Sequence, residues 1–349
     1  MKLLDEFARG YPAWFPSISL FAFQGSLSIP LCVPESLHEF YQSLRATGLP
    51  RRLFEIAHEE DLGPATADAR GGPDRAVGDI TSSCCIDPRK VAHASLIARS
   101  AGVISGLAAT DDLLDLFAPS VRARCHIDDG TFANAGSCVM TLSGPLDEIL
   151  GLERTMLNLV GRLSGIATRT RRFVDALPAG CRAKIYDTRK TTPGLRVLEK
   201  YAVRCGGGQS HRMGLFDAVL IKDNHIAGVS VSQLGSYITD AAKRARSASR
   251  APAFIQVEVD TLEQFEELVK LPGGTIDIVL LDNMGPELLR AAVARRDALN
   301  PKLELESSGG VTLDTVGALA STGIDRISIG GLTHSAVVLD VALDVTEVS

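Results

Sequence analysis

Four cationic side chains, Arg189, Lys190, Arg212 and Lys222, fall within one stretch, CRAKIYDTRKTTPGLRVLEKYAVRCGGGQSHRMGLFDAVLIKDNHIAG at residues 181–228. Cations gathered in one place hold anions. At an effective dielectric near 20, unit charges about 4 Å apart attract by about 4 kcal/mol before desolvation, so four suffice for a small dianion. Further along, Glu258 and Asp282 each follow apolar residues and supply an acidic counterpart. Two carboxylates facing a cationic wall could hold sugar hydroxyls, bind Mg²⁺ with a pyrophosphate, or stabilise a cationic sugar transition state. They could also do no more than pair with neighbouring Arg and Lys. Two small-residue loops complete the set, Ser307-Ser308-Gly309-Gly310 and Gly330-Gly331. Either could be a plain tight turn, but two after consecutive strands suit phosphate, bound by backbone N–H groups at a helix start.

These groups can act together only if the fold converges them. Residues 183–187 and 216–221 read as buried strands, ending in Asp187-Thr188-Arg189-Lys190 and Lys222-Asp223-Asn224-His225. Between them the pattern predicts a helix opened by Pro193 and closed by Gly206-Gly207-Gly208, which lead into Gln209-Ser210-His211-Arg212. The unit then repeats, with strand 254–259 before helix 262–269, strand 276–281 before helix 287–298, and strand 303–306 before helix 313–322. A last strand, 326–329, runs into Gly330-Gly331. Alternation of this kind implies parallel strands with right-handed crossovers, whose like ends meet on one face. Six strands favour a (β/α) barrel, short of the full eight, in an α/β chain over a doubly wound sheet. No G-x-G-x-x-G follows a first strand, which removes the dinucleotide fold.

The rest of the chain reads as support. Residues 1–45 lack clear periodicity and are expected to be an N-terminal extension without an assigned role, although apolar spacing over 34–57 predicts two helices. Residues 64–77 have the composition of a surface loop. Between 93 and 139 short apolar runs alternate with glycine turns around a helix at 110–116, a pattern for a small antiparallel α+β domain. Asp128-Asp129-Gly130 reads as a turn. A long helix is expected over 147–177, with a kink near Gly165. Its residues Glu153, Arg154, Asn158 and Arg162 lie along one stripe, read as a solvated or ion-paired face, with a ligand or subunit contact as the alternative. The expected domains are therefore 46–156, joined by 335–349, and a barrel over 157–334.

Composition sets the outer limits. Of 349 residues 45% are hydrophobic and 22% charged, and the net charge is -6, so nothing global invites nucleic acid or an acidic membrane. Aromatic residues make up only 5% and none clusters with the basic ones, against a single-strand nucleic-acid groove. Seven cysteines, odd in number and without a C-x-x-C pair, suit free thiols in a reducing cytoplasm. Cys84-Cys85 could be redox-active, but buried free thiols are the commoner case. Residues 17–33 are apolar, yet lack a basic lead-in and are too short to cross a bilayer as a helix.

Several segments carry a resemblance: EDLG with GDIT, ERTMLNLVGRLSGIAT, the central run from DTRKTTPG to LIKDNHI, VEVD, LLDNM, ESSGGVTLDTV and GIDRISIGGLTHSA. Across residues 53–344 the chain resembles the nicotinate-nucleotide pyrophosphorylase (carboxylating) family, also called quinolinate phosphoribosyltransferases. The resemblance implies an N-terminal α/β sandwich domain, an open-faced barrel and a homodimer or higher oligomer. It implies quinolinate, phosphoribosyl pyrophosphate and Mg²⁺ as substrates and cofactor, with nicotinate mononucleotide, pyrophosphate and CO₂ as products of a decarboxylating glycosyl transfer in NAD synthesis. Carried over by position, Thr188, Arg189, Lys190, His211, Arg212 and Lys222 would bind substrate, four of them and His211 as cations. Lys190, Lys222, Glu258 and Asp282 would be catalytic, the last two facing ribose and metal. Ser308, Gly309, Gly310, Ile329, Gly330 and Gly331 would cradle the 5′-phosphate, and Arg154 would enter the partner subunit's site. The departures, namely the extension, residues 64–77 and Pro272-Gly273-Gly274, lie outside the site. Other readings stay open: nicotinate phosphoribosyltransferase, the molybdenum-transport paralogue, a Schiff-base lyase using Lys222, or a phosphate-binding module without catalysis.

Overall fold

The computed structural model describes residues 36–63 and 78–349. The loop expected at 64–77, and residues 1–35 of the expected extension, lie outside the described residues. Two helices, α1 (Leu37–Arg45) and α2 (Leu49–Leu62), stand where apolar spacing predicts them. Ser36 starts α1 by accepting the Glu39 N–H at 3.2 Å while Glu39 accepts the Ser36 N–H at 3.1 Å, a reciprocal cap. Helix α1 corrects the expectation of a role-free extension reaching residue 45. Its Phe40, Tyr41 and Leu44 are buried, and the Tyr41 hydroxyl donates to Asp112 at 2.8 Å.

The first domain continues through α3 (Ile80–Cys85), β1 (Val91–Ala98), β2 (Gly102–Val103), α4 (Thr110–Phe117), β3 (Arg122–Cys125), β4 (Phe132–Ala133) and β5 (Cys138–Pro145). In β1 the residues Ala92, Ala94, Leu96 and Ala98 are buried and alternate with less buried neighbours, the period of a strand with one face on a core. Asp129 does more than turn the chain. It accepts the N–H groups of Leu107 and Ala108, both at 3.0 Å, and the Tyr201 hydroxyl at 2.8 Å, tying this domain to the next.

Helix α5 (Leu146–Asp175) links the two halves and spans 30 residues. It runs unbroken through Gly165, where a kink was expected. The glycine instead admits a neighbouring backbone, since a Cβ there would stand 2.1 Å from the Val337 carbonyl oxygen.

The second half follows as β6 (Lys184–Tyr186), α6 (Arg196–Cys205), β7 (Val219–Ile221), α7 (Val231–Arg246), β8 (Ile255–Val259), α8 (Leu262–Val269), β9 (Ile278–Asp282) and α9 (Pro286–Leu299). Then come β10 (Glu304–Ser308), α10 (Leu313–Ala320), β11 (Arg326–Ser328), α11 (Gly331–His334) and β12 (Val341–Val348). Six strands form one sheet in the order β6-β11-β10-β9-β8-β7, every neighbouring pair parallel. Strands β6 and β7 are its two edges, so the barrel stays open between them. Strand β9 shows why apolar runs mark these elements: Ile278 to Leu281 are all buried, as in a sheet covered on both faces. Strand β12 returns to the first domain and pairs antiparallel with β1, giving the sheet β12-β1-β5-β3.

Two local expectations fail for identifiable reasons. The run at 216–221 shortens to β7 because Asp217 accepts the N–H groups of Met213 at 2.7 Å and Gly214 at 2.9 Å, closing a turn that leaves Phe216 52% exposed. Pro193 does not open α6. It sits in a turn with Gly194 at φ 83°, and the helix begins after Leu195 donates to the Thr192 carbonyl at 3.1 Å. No helix among the described residues is long and apolar enough to cross a membrane.

Candidate functional site

Because the six strands are parallel, their C-terminal ends share one mouth, and a cavity of about 690 Å³ opens there. Thr188, Arg189 and Lys190 reach it from the loop after β6, and His211 and Arg212 from the segment before β7. Lys222 follows β7, Glu258 comes from β8 and Asp282 from β9. Ser308, Gly309 and Gly310 end β10, while Ile329, Gly330 and Gly331 follow β11. Every site residue named from the sequence lines this cavity except Arg154, which is exposed on α5 outside it.

The cationic wall is held by buried groups. Asp187, at the end of β6, accepts both the Lys200 ammonium and, at 2.8 Å, the His211 N–H. Lys200 also donates to the His211 carbonyl at 3.3 Å. Both side chains of this ion pair are fully buried. Burial pushes the Asp187 carboxyl up and the Lys200 ammonium down, and each is offset in part by the other's charge.

His211 departs from its expected role as a cation. Its Nδ1 accepts the Arg212 N–H at 2.8 Å, so the ring hydrogen sits on Nε2 and is donated to Gln256 Oε1 at 2.8 Å. Burial lowers its pKa to about 4, with Glu306 pulling the other way, and the ring is neutral near pH 7. The cations at the wall are Arg189, Lys190, Arg212 and Lys222. Burial and the nearby Arg189 charge both push the Arg212 guanidinium down. That like-charge contact is what an anionic ligand relieves.

Lys222 Nζ lies 2.7 Å from Glu258 Oε2, so the neighbour pairing foreseen for the carboxylates holds for Glu258. Asp282 accepts the side-chain N–H of Asn283 at 2.6 Å. Asn283 has φ 53°, the single positive φ outside glycine among the described residues, and its N–H donates to the Ser308 carbonyl at 2.9 Å. Gly309 and Gly310 have φ 94° and 58°, and a Cβ on Gly309 would stand 2.0 Å from Asn283 Oδ1. Only glycine fits there.

The loop at 188–192 is strutted from below. Glu199, fully buried, accepts the Thr192 N–H at 3.1 Å and its hydroxyl at 2.9 Å, and pairs with Arg162 at 2.7 Å. Arg162 donates also to the Thr333 carbonyl at 2.7 Å, and the Thr333 hydroxyl donates to the Lys190 carbonyl at 2.8 Å. Of the stripe on α5, then, Arg162 is an internal tie, whereas Arg154 and Asn158 are exposed. Cys84 and Cys85 are exposed free thiols, against the expectation of burial.

Three ionisable residues of the cavity escaped the sequence reading. Glu306 lies fully buried in β10, accepting Arg326 Nε at 2.8 Å, with His211 Nε2 3.6 Å away. Its signal was a second glutamate in the strand, two residues after Glu304. Arg169 enters from α5, and His334 follows the last glycine loop. Among the described residues no three His, Cys, Asp or Glu side chains lie together to hold a metal. Glu258 and Asp282 therefore suit only an ion that brings other oxygen ligands with it, which matches the coordination habit of Mg²⁺ with phosphates and water.

An open parallel barrel whose mouth combines a cationic wall with two glycine loops defines an enzyme that joins a phosphorylated substrate to a second anion. Residues 79–164 match the family model for the quinolinate phosphoribosyl transferase N-terminal domain, and 166–344 that for its C-terminal domain. The chain belongs to the quinolinate phosphoribosyl transferase family. It is 43% identical to the nicotinate-nucleotide pyrophosphorylase (carboxylating) of Mycobacterium leprae over 76% of this chain and 90% of that one. A probable enzyme of the same name from Bacillus subtilis is 41% identical over 78% of this chain and 90% of that one. The solved nicotinate-nucleotide pyrophosphorylase of Francisella tularensis superposes with a TM-score of 0.72 at 32% identity, over 86% of this chain and 96% of that one.

Proposed function

We infer that this chain is a decarboxylating quinolinate phosphoribosyltransferase of de novo NAD synthesis. It joins quinolinate to phosphoribosyl pyrophosphate and releases pyrophosphate and CO₂, leaving nicotinate mononucleotide. One observation carries the reading. Arg189 and Arg212 lie close enough for their charges to act on each other in a cavity that two glycine loops also line, so a dicarboxylate and a phosphorylated sugar fit side by side.

Arg189, Arg212, Lys190 and Lys222 hold the two carboxylates of quinolinate, and Thr188 fixes the loop by accepting the Lys190 N–H at 3.0 Å. His211, neutral, orients through Gln256 rather than by charge. The loops at Ser308–Gly310 and Ile329–Gly331 hold the 5′-phosphate. Glu258 and Asp282 face the ribose, where a positive charge grows as pyrophosphate departs. Glu258 and Asp282 would be the protein oxygens that hold Mg²⁺ brought in with the pyrophosphate, and the ion would supply positive charge to the leaving group.

The pyridine nitrogen attacks the ribose carbon from which pyrophosphate leaves. Once alkylated, the ring is a cation and an electron sink. The bond to the adjacent carboxylate then breaks, its electron pair stays on the ring carbon and takes a proton, and CO₂ departs. No strong base is needed, so the protein's part is placement of substrates and charges. Lys222 serves as a charge, since its ion pair with Glu258 and its 43% exposed side chain differ from the desolvated amine of a Schiff-base enzyme.

We place Arg154 in the active site of a partner subunit, because it is exposed and cannot line its own cavity. The active form is then a homodimer or a multiple of one. Exposed free thiols at Cys84, Cys85 and Cys125 suit the reducing cytoplasm. The test is release of CO₂ and pyrophosphate by the purified chain. Both products must require both substrates. Arg189→Ala and Lys222→Ala should each raise the KM for quinolinate at least tenfold, the low end expected for a charged hydrogen bond lost, about 1.5 kcal/mol. Turnover of nicotinate without CO₂ release would refute the assignment.

A further inference from the structure

Two arginines seven residues apart on α5, Arg162 and Arg169, face the same way but live differently. Arg162 is saturated by Glu199 and the carbonyls of Thr333 and Ala336. Arg169 has no ion pair or hydrogen bond among the described residues, and its Nε is buried without an acceptor. Its guanidinium lies 5.7 Å from the centroid of the buried Phe173 ring, which sets its direction, and it lines the cavity. A terminal nitrogen stands 3.4 Å from the point a Cβ on Gly331 would occupy. At the preceding Gly330, the same construction meets Lys190 Cδ at 2.7 Å and His334 Nε2 at 3.4 Å. Three basic side chains therefore converge on two consecutive glycines, and one of them carries a planar fork of donors with nothing in the protein to receive it.

We propose that Arg169 is a further substrate-binding residue, donating to the 5′-phosphate monoester of the sugar substrate above Gly330 and Gly331. This rests on the reading of the glycine loops as the 5′-phosphate cradle. A guanidinium fork matches phosphate oxygens in pairs, and a buried N–H gains most from a charged acceptor. The contribution comes from a helix outside the strand ends that otherwise build the mouth.

Ribose 5-phosphate and inorganic pyrophosphate separate the two phosphate ends of the sugar substrate. In Arg169→Met, the KM for phosphoribosyl pyrophosphate and the inhibition constant of ribose 5-phosphate should each rise about tenfold, while those of quinolinate and pyrophosphate stay within about twofold. Arg169→Lys should recover part of the loss, because it keeps a charge without the fork. The thermal midpoint of both variants, measured in the same buffer, reports folding separately. If Arg169→Met weakens pyrophosphate instead, the residue serves the leaving group and the proposal is wrong. An unchanged ribose 5-phosphate constant overturns it as well. Failure of ribose 5-phosphate to compete with the sugar substrate in the unmodified enzyme would instead sink the cradle reading beneath it.

Discussion

Removing the ammonium of Lys200 tests how the cationic wall is held. Lys200 and Asp187 are both fully buried, and between them they hold the N–H and the carbonyl of His211. Lys200→Met fills similar volume but leaves the Asp187 carboxylate alone in the interior. Losing one partner of a buried pair costs about 3–5 kcal/mol, because the remaining charge is uncompensated. Typical total stability is about 5–15 kcal/mol, so the variant should fold but melt early.

The double variant Asp187→Asn with Lys200→Met gives the sharper result. Neither charge of the pair is left buried, and the Asn oxygen still accepts the His211 N–H. We expect it to be more stable than Lys200→Met alone and within about 1–2 kcal/mol of the unmodified chain. Urea unfolding of these three proteins and of Asp187→Asn alone closes the cycle. The KM for quinolinate should follow the same order, because His211 and Arg212 leave the wall when their backbone is released. If the losses simply add, so that the double variant is the least stable, the pair does not work as argued.

Gly309→Ala should abolish measurable turnover and lower the thermal midpoint, because its Cβ would stand 2.0 Å from Asn283 Oδ1 at a φ of 94°; normal activity would mean that the loop moves freely. His211 has a native pKa near 4 against 6.5 when unfolded, so the unfolded chain binds a proton that the native one does not. Stability from this group is present above pH 6.5 and falls as pH drops toward 4, by roughly 3 kcal/mol. His211→Gln should flatten that slope in urea midpoints taken between pH 4.5 and 7.5, and an unchanged slope would remove His211 as its cause. Chelation of divalent cations should stop turnover and leave the thermal midpoint in place, since no all-protein metal cage exists among the described residues; a large fall in midpoint would point to a structural ion. Mixing Arg154→Ala and Lys222→Ala subunits, at a quinolinate concentration too low for either variant alone to turn over measurably, should restore about a quarter of the activity, through dimers with one intact composite site, and no recovery would place Arg154 outside the partner's site.

Much of this was legible in the sequence because parallel strands write a simple code. Covered on both faces, they appear as apolar runs, and their first polar residues must emerge at one mouth. That logic alone brings Arg189, Lys222, Glu258, Asp282 and Ser308 together. It falters where a neighbour outside the run decides. Phe216 extends an apolar run, yet Asp217 spends both oxygens on the N–H groups of Met213 and Gly214 and turns the chain first. His211 looks cationic beside Arg212. Its neutrality is imposed by burial, with Phe254 packed edge-on at 5.4 Å, and by the charges of Lys200 and of Arg326, 115 residues further along the chain.

Helix α5 sets the limit most clearly. Arg154, Arg162 and Arg169 are the same residue on one helix, and nothing local distinguishes them. Their fates follow from what the rest of the chain brings alongside. Arg162 meets carbonyls 171 and 174 residues downstream and is consumed by the fold. Arg154 lies exposed and outside its own cavity, the observation behind the proposal that a second subunit receives it. Arg169 meets two glycines, whose missing side chains leave room for a ligand but no acceptor. A cation at a packed surface either finds an internal partner or implies an external one, and the accounting of donors, not the residue type, separates structure from site.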